Sequence, residues 1–223
     1  METETQLETI LEFLKNNSNE SNRIGMGKFG IDISNALGVS IPVLRNLAKP
    51  YRKNHELAQE LWKTSIHEAR LMASMIDDPK KLTEKQIDEW SHDFKSWDLC
   101  DQVCMNLFSR SDLSEKKILE YAQAEGEFVK RASFALIACY ALKRMNKSDY
   151  LLIGFLPIIE NSANDERIYV KKAVNWALRQ IGKENIFLRK NAIECAERIR
   201  AQGTKSAKWI ASDALRELNK TNL

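Results

Sequence analysis

The chain of 223 residues is long enough to bury a real core, and with only 8 glycines and 4 prolines it signals few turns, so its elements are long. Its net charge of +3 hides a division: residues 1–128 carry 16 Lys and Arg against 22 Asp and Glu, a net of −6, whereas residues 129–223 carry 18 against 9, a net of +9. No apolar run of about 18 residues offers a membrane span, and the acidic start METETQLETILEF lacks the blocks of a secretory signal.

Residues 3–16 read as an amphipathic helix, with Leu7, Ile10, Leu11 and Leu14 at helical spacing. NNSNESN breaks it, and GMGKFG (25–30) reads as a polar loop. Ser40 then precedes a short helix with Pro42 in its first turn, which Pro50 ends. Residues 54–76 give one or two helices closed by Asp77-Asp78-Pro79, and Thr83-Glu84-Lys85-Gln86 is a capping box for the next. Ser114 and Asp165 are further candidate N-caps, and Gly182 and Gly203 stand where helices should stop. No alternating strand pattern survives, so the protein is expected to be all-α, at least about 60% helix.

The chain also repeats. Val129-Lys130-Arg131-Ala132 returns as Val170-Lys171-Lys172-Ala173, 41 residues later, and Ala177-Leu178-Arg179 as Ala214-Leu215-Arg216, 37 residues later. Periods near 40 with two helices each indicate HEAT-like repeats: helix pairs that bury their apolar faces only by stacking, giving a superhelix with a concave face. The expected organisation is one HEAT-like domain over 1–223, with an N-terminal helix and polar loop in 1–22 and the repeat array in 23–223.

Three helices carry candidate chemistry. In the one opening at Trp97, Leu99, Cys100, Val103, Cys104 and Leu107 gather into an apolar arc; Trp97 and Asp101 lie one turn apart at its edge. The helix over 128–142 is apolar from Ala132 onward, so Arg131 needs a partner, either a structural carboxylate such as Asp101 or a DNA phosphate. The helix over 168–181 sets Trp176 one turn after Lys172, a cation beside an aromatic ring, which suits a nucleic-acid surface as well as a core. The basic second half points to a polyanion, with Lys130, Lys171, Lys172, Arg179 and Lys208 as candidate phosphate contacts. Cys100 and Cys104 lack the partners of a zinc site, His55, His67 and His92 are scattered, and no phosphate loop or nucleophile elbow occurs. No metal or cofactor is called for. The four cysteines form no disulfide framework and fit a reduced, cytoplasmic setting, nucleoid-associated if the source is bacterial.

Four stretches together resemble the AlkD-type DNA alkylation-repair glycosylases over roughly residues 20–218. They are Leu37-Gly38-Val39-Ser40-Ile41-Pro42, Ser96-Trp97-Asp98-Leu99-Cys100-Asp101, Val129-Lys130-Arg131-Ala132, and the run from Val170 to Arg179. The resemblance implies a HEAT-like fold and excision of cationic alkylated purines, N3-methyladenine and N7-methylguanine, from duplex DNA; a monomer is expected. It implies Asp101 as the catalytic carboxylate, Trp97 lining the cleft, Arg131 holding the backbone and Trp176 as a second aromatic wall. Ser96 stands where better-known members carry another tryptophan, and Phe29 or Met26 lies near the place of an expected cleft tyrosine. The alternatives are a non-catalytic protein of the same fold that binds DNA structures, and a helical-repeat adaptor for a protein partner.

Overall fold

The computed structural model describes residues 2–142 and 145–220. Among them every regular element is helical, as expected, and helix exceeds the share anticipated. No described helix is long and apolar enough to cross a membrane. The chain forms two compact units, Met1–Asp112 and Leu113–Leu223.

The first unit contains α1 (Glu2–Asn16), α2 (Glu20–Lys28), α3 (Ile41–Ala48), α4 (His55–Lys63), α5 (His67–Ile76), α6 (Glu84–His92) and α7 (Trp97–Asn106), with single 3-10 turns at Lys49–Tyr51 and Phe108–Arg110. α3, α5 and α7 pack side by side in one row, and α1 and α4 back α5 from a second. The rings of Trp62 on α4 and Trp90 on α6 stack face to face at 3.9 Å, flanked by Phe94 and Phe108. Such aromatic burial carries much of the energy of a small core.

The second unit contains α8 (Ser114–Tyr121), α9 (Glu127–Tyr140), α10 (Asp149–Gly154), α11 (Leu156–Asn161), α12 (Ile168–Gly182), α13 (Ile186–Ala201) and α14 (Lys205–Leu218). α9, α12 and α14 form one row; α8 packs on α9, and α13 packs on both α12 and α14. Each pair thus contributes one helix to a common row, which is the HEAT-like arrangement.

The repeat is visible in the hydrogen bonds. In the second unit, Tyr169 N donates to Glu127 Oε1, Ser206 N to Glu166 Oε1, and Asn175 Nδ2 to Asp213 Oδ2, over separations of 42, 40 and 38 residues. In the first unit the spacing is shorter. Glu68, wholly buried on α5, accepts from the amides of Leu37, Gly38 and Val39 at 2.9, 2.7 and 3.3 Å, 29 to 31 residues away.

Four sequence expectations change. The stretch 20–28 is helix α2 rather than loop: Asn19 caps it by accepting from Asn22 N, and Arg23 pairs with Glu20 through two 2.7 Å bonds. Gly27 packs tightly in that helix, since a Cβ there would press on Ile33 at 3.2 Å. Ser114 is the first residue of α8, not its cap, and Leu113 occupies the cap position. Asp165 lies two residues before the cap Arg167 and accepts its N–H in an Asx turn. At Thr83 half of the capping box forms: the hydroxyl accepts from Gln86 N, but the Gln86 amide turns to Asp77 Oδ2 at 2.7 Å.

Gly38 is the residue this arrangement cannot replace. Its φ is +79°, and a Cβ there would lie 2.1 Å from the Asn19 carbonyl oxygen. Gly38→Ala is expected to destabilise the protein by about 3 kcal/mol or more, as strain and clash combine. Gly25→Ala, in an open place on α2, should raise stability by about 0.5–1 kcal/mol. Urea unfolding of the two variants checks both signs.

Candidate nucleic-acid interface

The sequence assigns α7 its apolar arc correctly: Leu99, Cys100, Val103, Cys104 and Leu107 are all buried. Trp97 and Asp101 flank that arc and stay half-buried. The helix start is held from two directions. Trp97 Nε1 donates to the carbonyl of Phe29 at 3.0 Å, so the loop after α2 fixes the indole; Phe29 itself is 75% exposed. Asp98, between the two candidate residues, uses both carboxylate oxygens: Oδ2 lies 2.8 Å from His67 Nε2, and Oδ1 accepts from Ser96 Oγ at 2.7 Å. Ser96 is buried. Ser96 is therefore an internal brace in this chain.

Charge and burial compete in this brace. Burial disfavours the His67 imidazolium, but Asp98, then Glu68 and Asp32, outweigh it and raise the pKa above 6.5. Burial likewise disfavours the Asp98 carboxylate, yet His67, the Ser96 hydroxyl and the Leu99 amide hold its pKa below 3.8. A polar cleft of about 220 Å³ opens beside these groups, lined by Asp32, His67, Arg70, Asp93, Lys95 and Ser96 among others. Arg70 is anchored there by Asp93 Oδ2 at 2.9 Å and lies over the Trp62 ring. Sequence reasoning passed over His67 and Asp98. They are 31 residues apart, and only the repeat register brings them together.

In the second unit the candidates fall on one row of helices: Lys130 and Arg131 on α9, Lys171, Lys172, Trp176 and Arg179 on α12, and Lys208 on α14. They are not alike. Arg131 is only 5% exposed, and its Nη1 donates to the Tyr169 carbonyl at 2.6 Å. Lys130 pairs with Asp165 at 3.2 Å, and its side chain is 17% exposed. Asp165 is held well below the usual carboxylate range, at about 2, by Arg167 first and, among other contacts, by Lys130, against the opposing effect of burial. Arg179 pairs with Glu217 and lies 3.4 Å from Asp213. Lys172 and Lys208 are exposed and Lys171 half-exposed; none of the three makes an ion pair among the described residues. Trp176 is half-buried, unlike the core residues Trp62 and Trp90.

The His67–Asp98 pair gives stability a defined pH dependence. A histidine whose pKa is raised on folding stabilises below its unfolded pKa and loses that contribution as pH rises through the folded value. An aspartate whose pKa is lowered contributes above its unfolded value and loses it as pH falls through the folded one. The stability gap between wild type and His67→Gln should therefore be widest at pH 5–6.5 and shrink as pH rises through His67's elevated pKa. Urea titrations at pH 6 and pH 9 measure this, and a gap that widens with pH would contradict it.

The family model for "DNA alkylation repair enzyme" matches residues 10–218. None of the curated proteins matches the chain. A solved structure described as "a new family of proteins related to the HEAT-like repeat DNA glycosylases with affinity for branched DNA structures" is similar over 94% of both chains, with a TM-score of 0.76 and 21% identity. That likeness shows the fold, and the family match extends over nearly the whole repeat array: the chain belongs to the DNA alkylation repair enzyme family.

Proposed function

We propose that the protein is a DNA glycosylase that hydrolyses the N-glycosidic bond of cationic alkylated purines, N3-methyladenine and N7-methylguanine, in duplex DNA. The observation that supports it most is local: Trp97, pinned through its indole N–H to the Phe29 carbonyl, stands one helical turn before Asp101 with both partly open to solvent. An aromatic face attracts a cationic base. A carboxylate near C1′ stabilises the oxocarbenium-like charge that develops as the bond to the base breaks. The bonding pair leaves with the base and cancels its positive charge, so no strong general acid is needed. Water adds to C1′, and its proton passes to solvent by way of the Asp101 carboxylate.

Direct phosphate contact falls in this reading to Lys171, Lys172 and Lys208, ahead of Lys130, Arg131 and Arg179, whose charges are engaged inside the fold. Trp176 supplies a further aromatic contact. A second reading, a DNA-structure binder without excision, draws support from the described affinity of the structural neighbour for branched DNA and from Ser96 serving as a brace.

Incubation with methylated duplex DNA and chromatography of the freed bases separates the two. Wild type should release N7-methylguanine or N3-methyladenine. Asp101→Asn should slow release about a hundredfold or more while leaving DNA affinity nearly unchanged, since it removes charge but little shape. Tight binding with no released base favours the second reading.

Salt dependence tests the binding surface independently. Affinity for duplex should fall linearly on a log–log plot against salt, and Lys172→Gln or Lys208→Gln should each reduce the slope by about 1. Lys130→Gln should change it less, because Asp165 already neutralises that ammonium.

A further inference from the structure

Five tryptophans divide by environment: Trp62 and Trp90 are core, Trp97 and Trp176 half-buried, and Trp209 on α14 is 41% exposed. A single exposed aromatic residue needs no explanation by itself. The surroundings of Trp209 do. Lys205 lies one turn before it on the same helix stripe, Lys208 is its neighbour, and both are exposed. From the adjoining α12, Lys171 Nζ reaches over the indole, 5.5 Å from the ring centre, with exposed Lys172 beside it in sequence. None of these four lysines makes an ion pair among the described residues. The nearby carboxylates are committed elsewhere: Asp213 contacts Arg179, Arg216 and Asn175, and Glu217 pairs with Arg179 and Lys183. The buried side of α14 is made by Ala207, Ile210, Ala211, Ala214, Leu215 and Leu218, so the core does not require the indole.

We propose that Trp209 is a stacking platform for an unpaired DNA base, with Lys171, Lys172, Lys205 and Lys208 gripping the phosphates on either side of that nucleotide. A ring face is of little use against intact duplex, whose bases are already stacked inside. It adds affinity where a base is free, as at a single-stranded tail or a branch, and this contact is tolerant of sequence because every base has a π-face. The site rests on the DNA-binding reading above and extends it from duplex to single-stranded flanks.

The test compares binding of a blunt duplex with binding of the same duplex bearing a single-stranded oligothymidine tail, at one low salt concentration. Wild type should prefer the tailed substrate by about tenfold. Trp209→Phe should keep most of that preference. Trp209→Ala and Trp209→Leu should lose it while retaining affinity for the blunt duplex, and helical circular dichroism with urea midpoints confirms that both variants fold. A tail preference that survives in folded Trp209→Leu, or its absence in wild type, overturns the platform and leaves the DNA reading standing. Wild type that binds neither substrate overturns both, and anionic phosphatidylserine vesicles bound in their place would assign the patch to a membrane surface.

Discussion

Each α-helix leaves amide N–H groups in its first turn without a partner on its own backbone, and those donors must find acceptors elsewhere. Here several of those donors are satisfied from a neighbouring repeat by a carboxylate. Glu127 reaches the start of α12 through Tyr169 N, and Glu166 reaches the start of α14 through Ser206 N. In the first unit a carboxylate instead holds a loop, with Glu68 on α5 reaching back to the amides of residues 37–39 ahead of α3. A carboxylate is well suited because it accepts two or three such bonds and its charge is favourable at the positive end of a helix dipole. These contacts set the register in which successive helices stack, and the position of every side chain on the exposed faces follows from that register.

The start of α7 shows how far this reaches. Glu68 pins residues 37–39, Gly38 closes on Asn19, and Asn19 caps α2, whose end delivers the Phe29 carbonyl to the Trp97 indole. His67, the residue before Glu68, holds Asp98 at the same time. Two adjacent residues at the start of α5 therefore control both the loop on one side of Trp97 and the helix turn that carries it. A side chain meant to contact a reacting ligand gains from such support, since its orientation is settled before the ligand arrives.

The periodic and local features were legible in the sequence. The repeated Val-Lys-Arg-Ala and Val-Lys-Lys-Ala blocks do fall on α9 and α12, helices that pack side by side, and the arc of α7 is buried as its spacing implies. What was not legible lies one repeat away. Lys130 and Arg179 read as cations free to meet phosphate, yet their partners Asp165 and Glu217 sit in the following repeat, 35 and 38 residues on. Helix α2 was hidden for a different reason. Its cap, Asn19, stands in the middle of a polar run, and its glycines imitate a loop, although Gly27 packs closely beside Ile33. Net charge suffers the same blindness, because it counts engaged and unengaged lysines alike.

Two aspartates three residues apart on α7 are given different roles by this reading. Asp98 has one oxygen against an imidazole and the other under a hydroxyl, and its charge is spent holding the helix start. Its lowered pKa reflects that engagement, and such a carboxylate is a poor base. Asp101, one turn beyond Trp97, keeps access to solvent. In the proposed reaction it needs little basicity. The leaving base begins with a positive charge and departs neutral, so the demand on the protein is negative charge near C1′ rather than proton transfer to the base. A single carboxylate on a braced helix, beside an aromatic face that favours a cation, meets that demand. The same arrangement offers little to a neutral, undamaged purine, which would have to leave as an anion without a general acid to protonate it. Discrimination between damaged and intact DNA would then follow from the chemistry of the leaving group, with no close-fitting pocket required.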